Sequence, residues 1–172
     1  MKTKCLLILL LTSTILYAQK EGNIWYFGRR AGLDFNSGAP VPLTDGIMNT
    51  LEGCSAISND MGNLLFYTDG VSVWNKNHIR MPNGFGLNGH PSSTQSALIV
   101  QDPGNSDRYY IFTVPAQQNH YGFSRPLSFY YNIVDMTLAG GLGDITIKNM
   151  LLMNKVTEKL TAVRHANGHD IW

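Results

Sequence analysis

His165 and His169 stand four residues apart in the run His165-Ala166-Asn167-Gly168-His169. On a helix that spacing would turn both imidazoles to one face and offer a metal ion two ligands. The Asn-Gly pair between them reads instead as a hairpin turn joining two strand-like runs, and no third ligand stands nearby, so no metal site is expected there. Two further turns, Asn59-Asp60-Met61-Gly62-Asn63 and Asp102-Pro103-Gly104-Asn105-Ser106-Asp107, hold oxygens of the kind calcium takes, with Asp60, Asp102 and Asp107 as the carboxylates in question. Asp, Asn and Gly also recur in turns for their backbone conformations alone, and this simpler reading, with no cofactor, is preferred. Asp34, Asp69 and Asp135 could serve glycoside hydrolysis only if the fold set two of them at the separation that an acid and a base or nucleophile require. Each reads more simply as a strand-end or turn aspartate. No nucleophile elbow, phosphate-binding loop or zinc-protease helix is present, so no catalytic residue is assigned.

Binding has better candidates than catalysis. Two long polar connections, residues 75–93 and 117–125, carry His78, His90, His120, Tyr121 and Arg125, and long loops on a rigid scaffold are where ligand contacts concentrate. Trp25, Tyr26, Phe27, Phe66, Tyr67, Trp74, Tyr109, Tyr110, Tyr130, Tyr131 and Trp172 lie in or beside expected strands, so most of them should serve the core.

The elements that must position these residues are short antiparallel strands. Residues 54–74, CSAISNDMGNLLFYTDGVSVW, alternate apolar and small or polar residues at period 2 on either side of an Asn/Asp/Gly reversal, then turn again at Asp69-Gly70 into Val71-Ser72-Val73-Trp74. The pattern predicts a three-stranded meander. Ser96 to Val100 followed by Tyr109 to Phe112, and Thr161 to Arg164 followed by Asp170 to Trp172, repeat the same order of small residue, Ala, aliphatic residue, polar turn and aromatic strand. The alanines at 56, 97 and 162 are 41 and 65 residues apart, the first interval close to the roughly 40–45 residues of a propeller blade. Around them, residues 23–36 predict two short strands, either closing a last blade or forming a degenerate first one; residues 37–51 predict a loop. A short strand is expected near His78 to Met81, and Leu127 to Val134 is a strongly β-prone strand. Asp144 to Met153 reads as an outer strand whose Met-Leu-Leu-Met run could instead form one helical turn. The expected fold is therefore all-β and β-propeller-like, but incomplete. About two and a half blades cannot close a ring of roughly four to eight, so the chain reads as the truncated N-terminal part of a longer one.

Residues 1–18 combine Lys2 and Lys4 with an apolar run and a small residue, Ala18, as in a secretory signal peptide, leaving 19–172 as the propeller-like part. Without Lys2 and Lys4 the chain has 11 Lys and Arg against 12 Asp and Glu, a formal charge of −1 with no basic stripe, which argues against a nucleic-acid partner. No stretch is apolar for the roughly twenty residues that a membrane span requires. Cys54 is then the one remaining cysteine, read as a small strand hydrophobe rather than a reactive thiol.

The ordered segments NIWYFGRRAGLDFNSGAPVPLTDG, EGCSAISNDMGNLLFYTDGVSVWNKNH, MPNGFGLNGHPSSTQSALIV, YYIFTV and KVTEKLTAVRHANGHDIW span almost all of residues 23–172. In these segments the chain resembles the N-terminal region of large exported Bacteroidetes proteins that carry PKD-type repeats and end in a gliding-motility-associated, type IX secretion sorting domain. The resemblance implies a propeller-like module of a secreted or outer-surface adhesin-like protein, with downstream domains that this chain lacks. It carries over no catalytic residue. The expectation from sequence is thus a secreted or cell-surface binding and adhesion module for a carbohydrate or protein ligand. The alternative is a secreted propeller-type hydrolase acting on polysaccharide.

Overall fold

The computed structural model describes residues 20–117, 127–167 and 170–172. The expected signal peptide and cleavage point lie outside them. So do His120, Tyr121, Arg125, Gly168 and His169.

Among the described residues the chain forms eleven strands and no helix, arranged as three antiparallel sheets. The first sheet is β1 (Ile24–Phe27), β2 (Ala31–Asp34) and β3 (Val41–Leu43), in that order. The second is the meander β4 (Ser55–Ser58), β5 (Leu64–Thr68), β6 (Ser72–Asn75) and β7 (Arg80–Phe85). The third runs β8 (Ala97–Asp102), β9 (Asn105–Thr113), β10 (Ser128–Asp135) and β11 (Asp144–Asn154), again each paired with the next.

Side-chain alternation dictates how the sheets stack. Successive residues of a strand point to opposite faces. In β5 and β6 this sends Tyr67 and Trp74 toward the first sheet, where they pack with Tyr26 and Met48. Their neighbours Phe66 and Val73 point the other way, into a cluster with Ile99, Tyr109, Ile111 and Val134 of the third sheet. The second sheet is therefore buried on both faces, which is why Leu64 to Tyr67 reads as a continuous apolar run instead of a clean alternation. Ala97 lies in the cluster between the second and third sheets at 4% exposure. Replacing Ala97 by Leu should overpack this contact and cost about 1–3 kcal/mol of unfolding free energy, read as a lowered urea midpoint with an unchanged slope.

Several elements differ from the sequence reading. Val41–Leu43 is a strand although residues 37–51 predict only loop; three residues are too few to show a period, and Pro42 is tolerated because β3 is a sheet edge. The strand expected near His78 to Met81 starts later, at Arg80, and completes the second sheet as a fourth strand, with Pro82 again on an edge. Of the two alternatives for residues 23–36, the pair β1–β2 takes the second: with β3 it forms a separate, three-stranded first sheet. The Met-Leu-Leu-Met run is strand, not helix. The third repeat shrinks to one bridge, Arg164 with Ile171, flanked by reciprocal backbone bonds between Val163 and Trp172.

Candidate functional site

Since strand direction alternates within each sheet, the connections divide between two ends of the stack. At one end the connections β3–β4, β5–β6, β7–β8 and β9–β10 meet the segment that follows β11, and hydrogen bonds knit them together. Gly53 N donates to Ser93 O, Glu52 N to Pro91 O and Gly89 N to Gly70 O, while Ser96 Oγ donates to Asp69 O at 2.6 Å. Ser93 and Ser96 are fully buried there. Gly70 has φ of +84°, and a Cβ on it would meet Ser96 Oγ at 2.2 Å, so both the conformation and the contact demand glycine.

Beyond this hub, Glu158 ties the segment after β11 to the other loops. Its Oε2 accepts from Thr94 N and Thr94 Oγ1 at 2.9 and 3.0 Å, and its Oε1 accepts from Gln117 N. Partial burial opposes ionisation of this carboxylate, but the bonds from Gln117 and Thr94, with His90 nearby, hold it below its usual range. Leu127 O accepts from Lys155 N and Val156 N. The residues on either side of 118–126 are thus anchored at this same end.

His90 belongs to this end. Its backbone N–H donates to Ser96 Oγ, and its Nδ1 accepts from Ser92 N at 3.1 Å. His78 does not. It sits in the β6–β7 turn, at the opposite end of the second sheet, with φ of +59°. The two described histidines nominated from sequence are therefore not brought together.

His78 instead joins a network that the sequence reading missed. Tyr67 receives a hydrogen bond from Ile47 N at 3.3 Å, and its hydroxyl lies 3.1 Å from His78 Nδ1. His78 Nε2 is 3.3 Å from Asp45 Oδ2, and Tyr26 donates to Asp45 Oδ1 at 2.8 Å. The direction of the bond between the Tyr67 hydroxyl and Nδ1 follows the imidazole tautomer, while Nε2 faces the Asp45 carboxylate. Tyr26 and Tyr67 stack at 4.7 Å, closing the loop. Burial, then the bond to Asp45, pushes the Tyr26 phenol far above its ordinary value. The bond from Tyr26 pulls Asp45 below the usual carboxylate range. A general base needs a nitrogen free to meet substrate. Here both ring nitrogens and both carboxylate oxygens already have protein partners.

The other candidate aspartates stand in or beside turns, where Asp34, Asp69, Asp102 and Asp135 accept backbone bonds. Asp34 Oδ1 accepts from Asn36 N, Asp69 Oδ1 from Val71 N and Ser72 N, and Asp135 Oδ1 from Thr137 N and Oγ1. Asn59 Oδ1 accepts from Met61 N and Asn63 N in the turn that holds Asp60. Asp102 Oδ1 accepts from Gly104 N, with Arg108 3.9 Å from Oδ2, and Asn105 Oδ1 accepts from Asp107 N. Among the described residues no three His, Cys, Asp or Glu side chains converge as a metal site. His165 stacks on Trp172 at 4.5 Å. The Cys54 thiol donates to Tyr26 O, and burial pushes its pKa up.

Three of the cavities among the described residues flank the sheets. One of about 820 Å³ lies between the outer face of the third sheet and the C-terminal segment, floored by Tyr110, Phe112 and Phe129 and roofed by Ile171 and Trp172. One of about 490 Å³ is lined by Trp25, Tyr26, Leu33 and Cys54. The third, about 330 Å³, is walled by Ile57 of β4, Ile99 to Gln101 of β8, and Ala162 and Arg164. His78 and Asp45 line none of the three. No protein-family model, curated protein or solved structure matches the chain.

Proposed function

We propose that this chain is part of a propeller-like binding module of an exported protein, and that its ligand, a glycan or a protein segment, is met at the end where the long connections converge. The bonds that hold Gln117 and Thr94 to Glu158, with His90 near it, and Leu127 to Lys155 and Val156 carry this reading, because the sequence between Gln117 and Leu127 contains His120, Tyr121 and Arg125. Three features support the propeller-like arrangement. The first strands of successive sheets are neighbours, β1 to β4 and β4 to β8. The fourth strands run parallel, through contacts of Asn83 with Asp144, Phe85 with Lys148, and Gly86 with Asn149. β4, β8 and residues 162–164 also share one cavity. Export, surface exposure and the likeness to Bacteroidetes adhesin-like proteins belong to the same proposal.

The rival reading, a polysaccharide hydrolase, has the His78–Asp45 pair as its one structural argument. That pair is closed on itself, between Asp45 at the start of the β3–β4 connection and His78 in the β6–β7 turn.

Screening the chain on a glycan array and on a panel of polysaccharide substrates separates the two. Binding without turnover is expected. Tyr121→Ala or Arg125→Ala should weaken binding by roughly tenfold or more, as removal of a central aromatic or Arg contact does. His78→Ala should lower stability but leave binding intact. Turnover that is abolished in His78→Ala would overturn the proposal.

A further inference from the structure

Residues 148–155 read Lys-Asn-Met-Leu-Leu-Met-Asn-Lys, the same in both directions. All but Lys155 lie in β11, the outermost strand of the third sheet, paired on one side with β10. Up to Asn149 the other side of β11 is occupied. Lys148 Nζ donates to Phe85 O, Asn149 Nδ2 donates to Gly86 O, and Asn149 Oδ1 accepts from Asn88 N. Asn149 then takes φ of +58°, its backbone N–H held by the buried Asn132 Oδ1 at 2.8 Å. The contacts with β7 and the residues after it end at Asn149, and a second left-handed residue, Lys155, follows the last residue of β11. Between the breaks, Met150, Leu151, Leu152 and Met153 are 47, 53, 48 and 59% exposed. Among the described residues nothing pairs with their outer edge.

An apolar edge of this kind is normally blunted by a charge, a proline or a cover. Here the device is one bulge, at Leu152, where Phe129 pairs with Met153 and Tyr130 with Leu151. We propose that two copies of this chain associate edge to edge along β11, about a twofold axis passing between Leu151 and Leu152.

The palindrome selects a second copy as the occupant. A twofold contact sets residue i against j and j against i. With the axis at this point Met150 meets Met153 and Leu151 meets Leu152, so the apolar run covers itself with no residue left over. Only at this register does every apolar residue face another of its own type. Because of the bulge, the contact relies on these four side chains more than on a regular backbone ladder. Lys148 and Lys155 would face each other at the two margins, but Lys148 is drawn to Phe85 O and Lys155, itself the second break, lies past the end of β11. Their residual repulsion makes the association strengthen with added salt, as screening weakens it.

Sedimentation equilibrium of the chain over a range of concentrations should show a monomer–dimer equilibrium that shifts toward dimer with salt. Leu151→Glu, and independently Leu152→Lys, should weaken it roughly tenfold or more while leaving the unfolding midpoint unchanged at concentrations where the parent chain is monomeric, since both side chains are about half exposed. Register is tested with Met150→Cys and Met153→Cys chains carrying Cys5→Ser and Cys54→Ser. Mixed together they should form a disulfide, because facing Cα atoms in an antiparallel pair lie about 4.5–5.5 Å apart. Each alone should not, because three residues of offset separate like positions by roughly 10 Å. A chain that stays monomeric overturns the proposal. So does a dimer indifferent to Leu151→Glu and Leu152→Lys, a Met150→Cys chain that cross-links to itself as fast as the mixture, or association lost in Trp172→Ser instead, which would place the contact at the aromatic cavity.

Discussion

Replacing Phe66 by Ala should cost about 3–5 kcal/mol of unfolding free energy, the range for removing a buried aromatic ring. Phe66 has no exposed surface and stands where the second and third sheets meet, edge-on to Tyr109 at 5.5 Å. Sheets on both sides hold the site open, so little collapse can refill it. Phe112 provides the contrast. It occupies the strand equivalent to that of Phe66 in the next repeat, but it faces the 820 Å³ cavity on the outer side of the third sheet and is only partly buried. Phe112→Ala should therefore cost clearly less than Phe66→Ala in the same urea titration. Equal losses would mean that the outer face of the third sheet is as well covered as its inner one.

That contrast marks where the sequence stops being informative. The repeat aligned on Ala56 and Ala97 was legible because both copies consist of period-2 strands bounded by Asn, Asp and Gly, and the structure forms them as β4–β5 and β8–β9 hairpins. Equivalent positions in the repeat do not have equivalent burial, however, since burial depends on which neighbours a sheet has. The second sheet lies between two others, whereas among the described residues the outer face of the third meets Leu160 to Ala162 and Asp170 to Trp172 across a cavity. β3 was hidden for another reason: a three-residue edge strand containing Pro42 is held by its partner β2 rather than by its own pattern.

At the site, the sequence could nominate loops but not assemble them. His78 and His90 fall in the same polar stretch, twelve residues apart, yet β7 lies between them and carries them to opposite ends. The network around His78 draws Tyr26, Asp45 and Tyr67 from three separate segments. One signal was available, since Tyr26 and Tyr67 both stand in strands where a fully buried hydroxyl must find a partner. Which partner it finds depends on how the first two sheets pack.

Tyr67→Ala should also cost about 3–5 kcal/mol, for a ring that is fully buried and stacked between Tyr26 and Trp74. Tyr67→Phe separates the hydroxyl from the ring. It keeps the stacking but leaves Ile47 N and His78 Nδ1 without their partner, at about 1–3 kcal/mol. The rest of the network makes stability depend on pH in a direction that can be worked out. Asp45 ionises more readily folded than unfolded, chiefly because Tyr26 donates to it and with His78 adding to the effect, although desolvation opposes both. Its contribution is present above the ordinary carboxylate value of about 4 and is lost as pH falls through the lowered folded value. Tyr26 is shifted the other way, by burial first and Asp45 second. Its contribution is complete below the ordinary phenol value of about 10 and declines as pH rises above it. Tyr26→Phe removes the hydroxyl that both effects share. The stability difference between the parent chain and Tyr26→Phe, measured by urea unfolding from pH 2 to 11, should therefore be flat and largest near neutrality and shrink toward both ends. Parallel curves across that whole range would show that the Tyr26–Asp45 bond does not contribute to the stability of the fold.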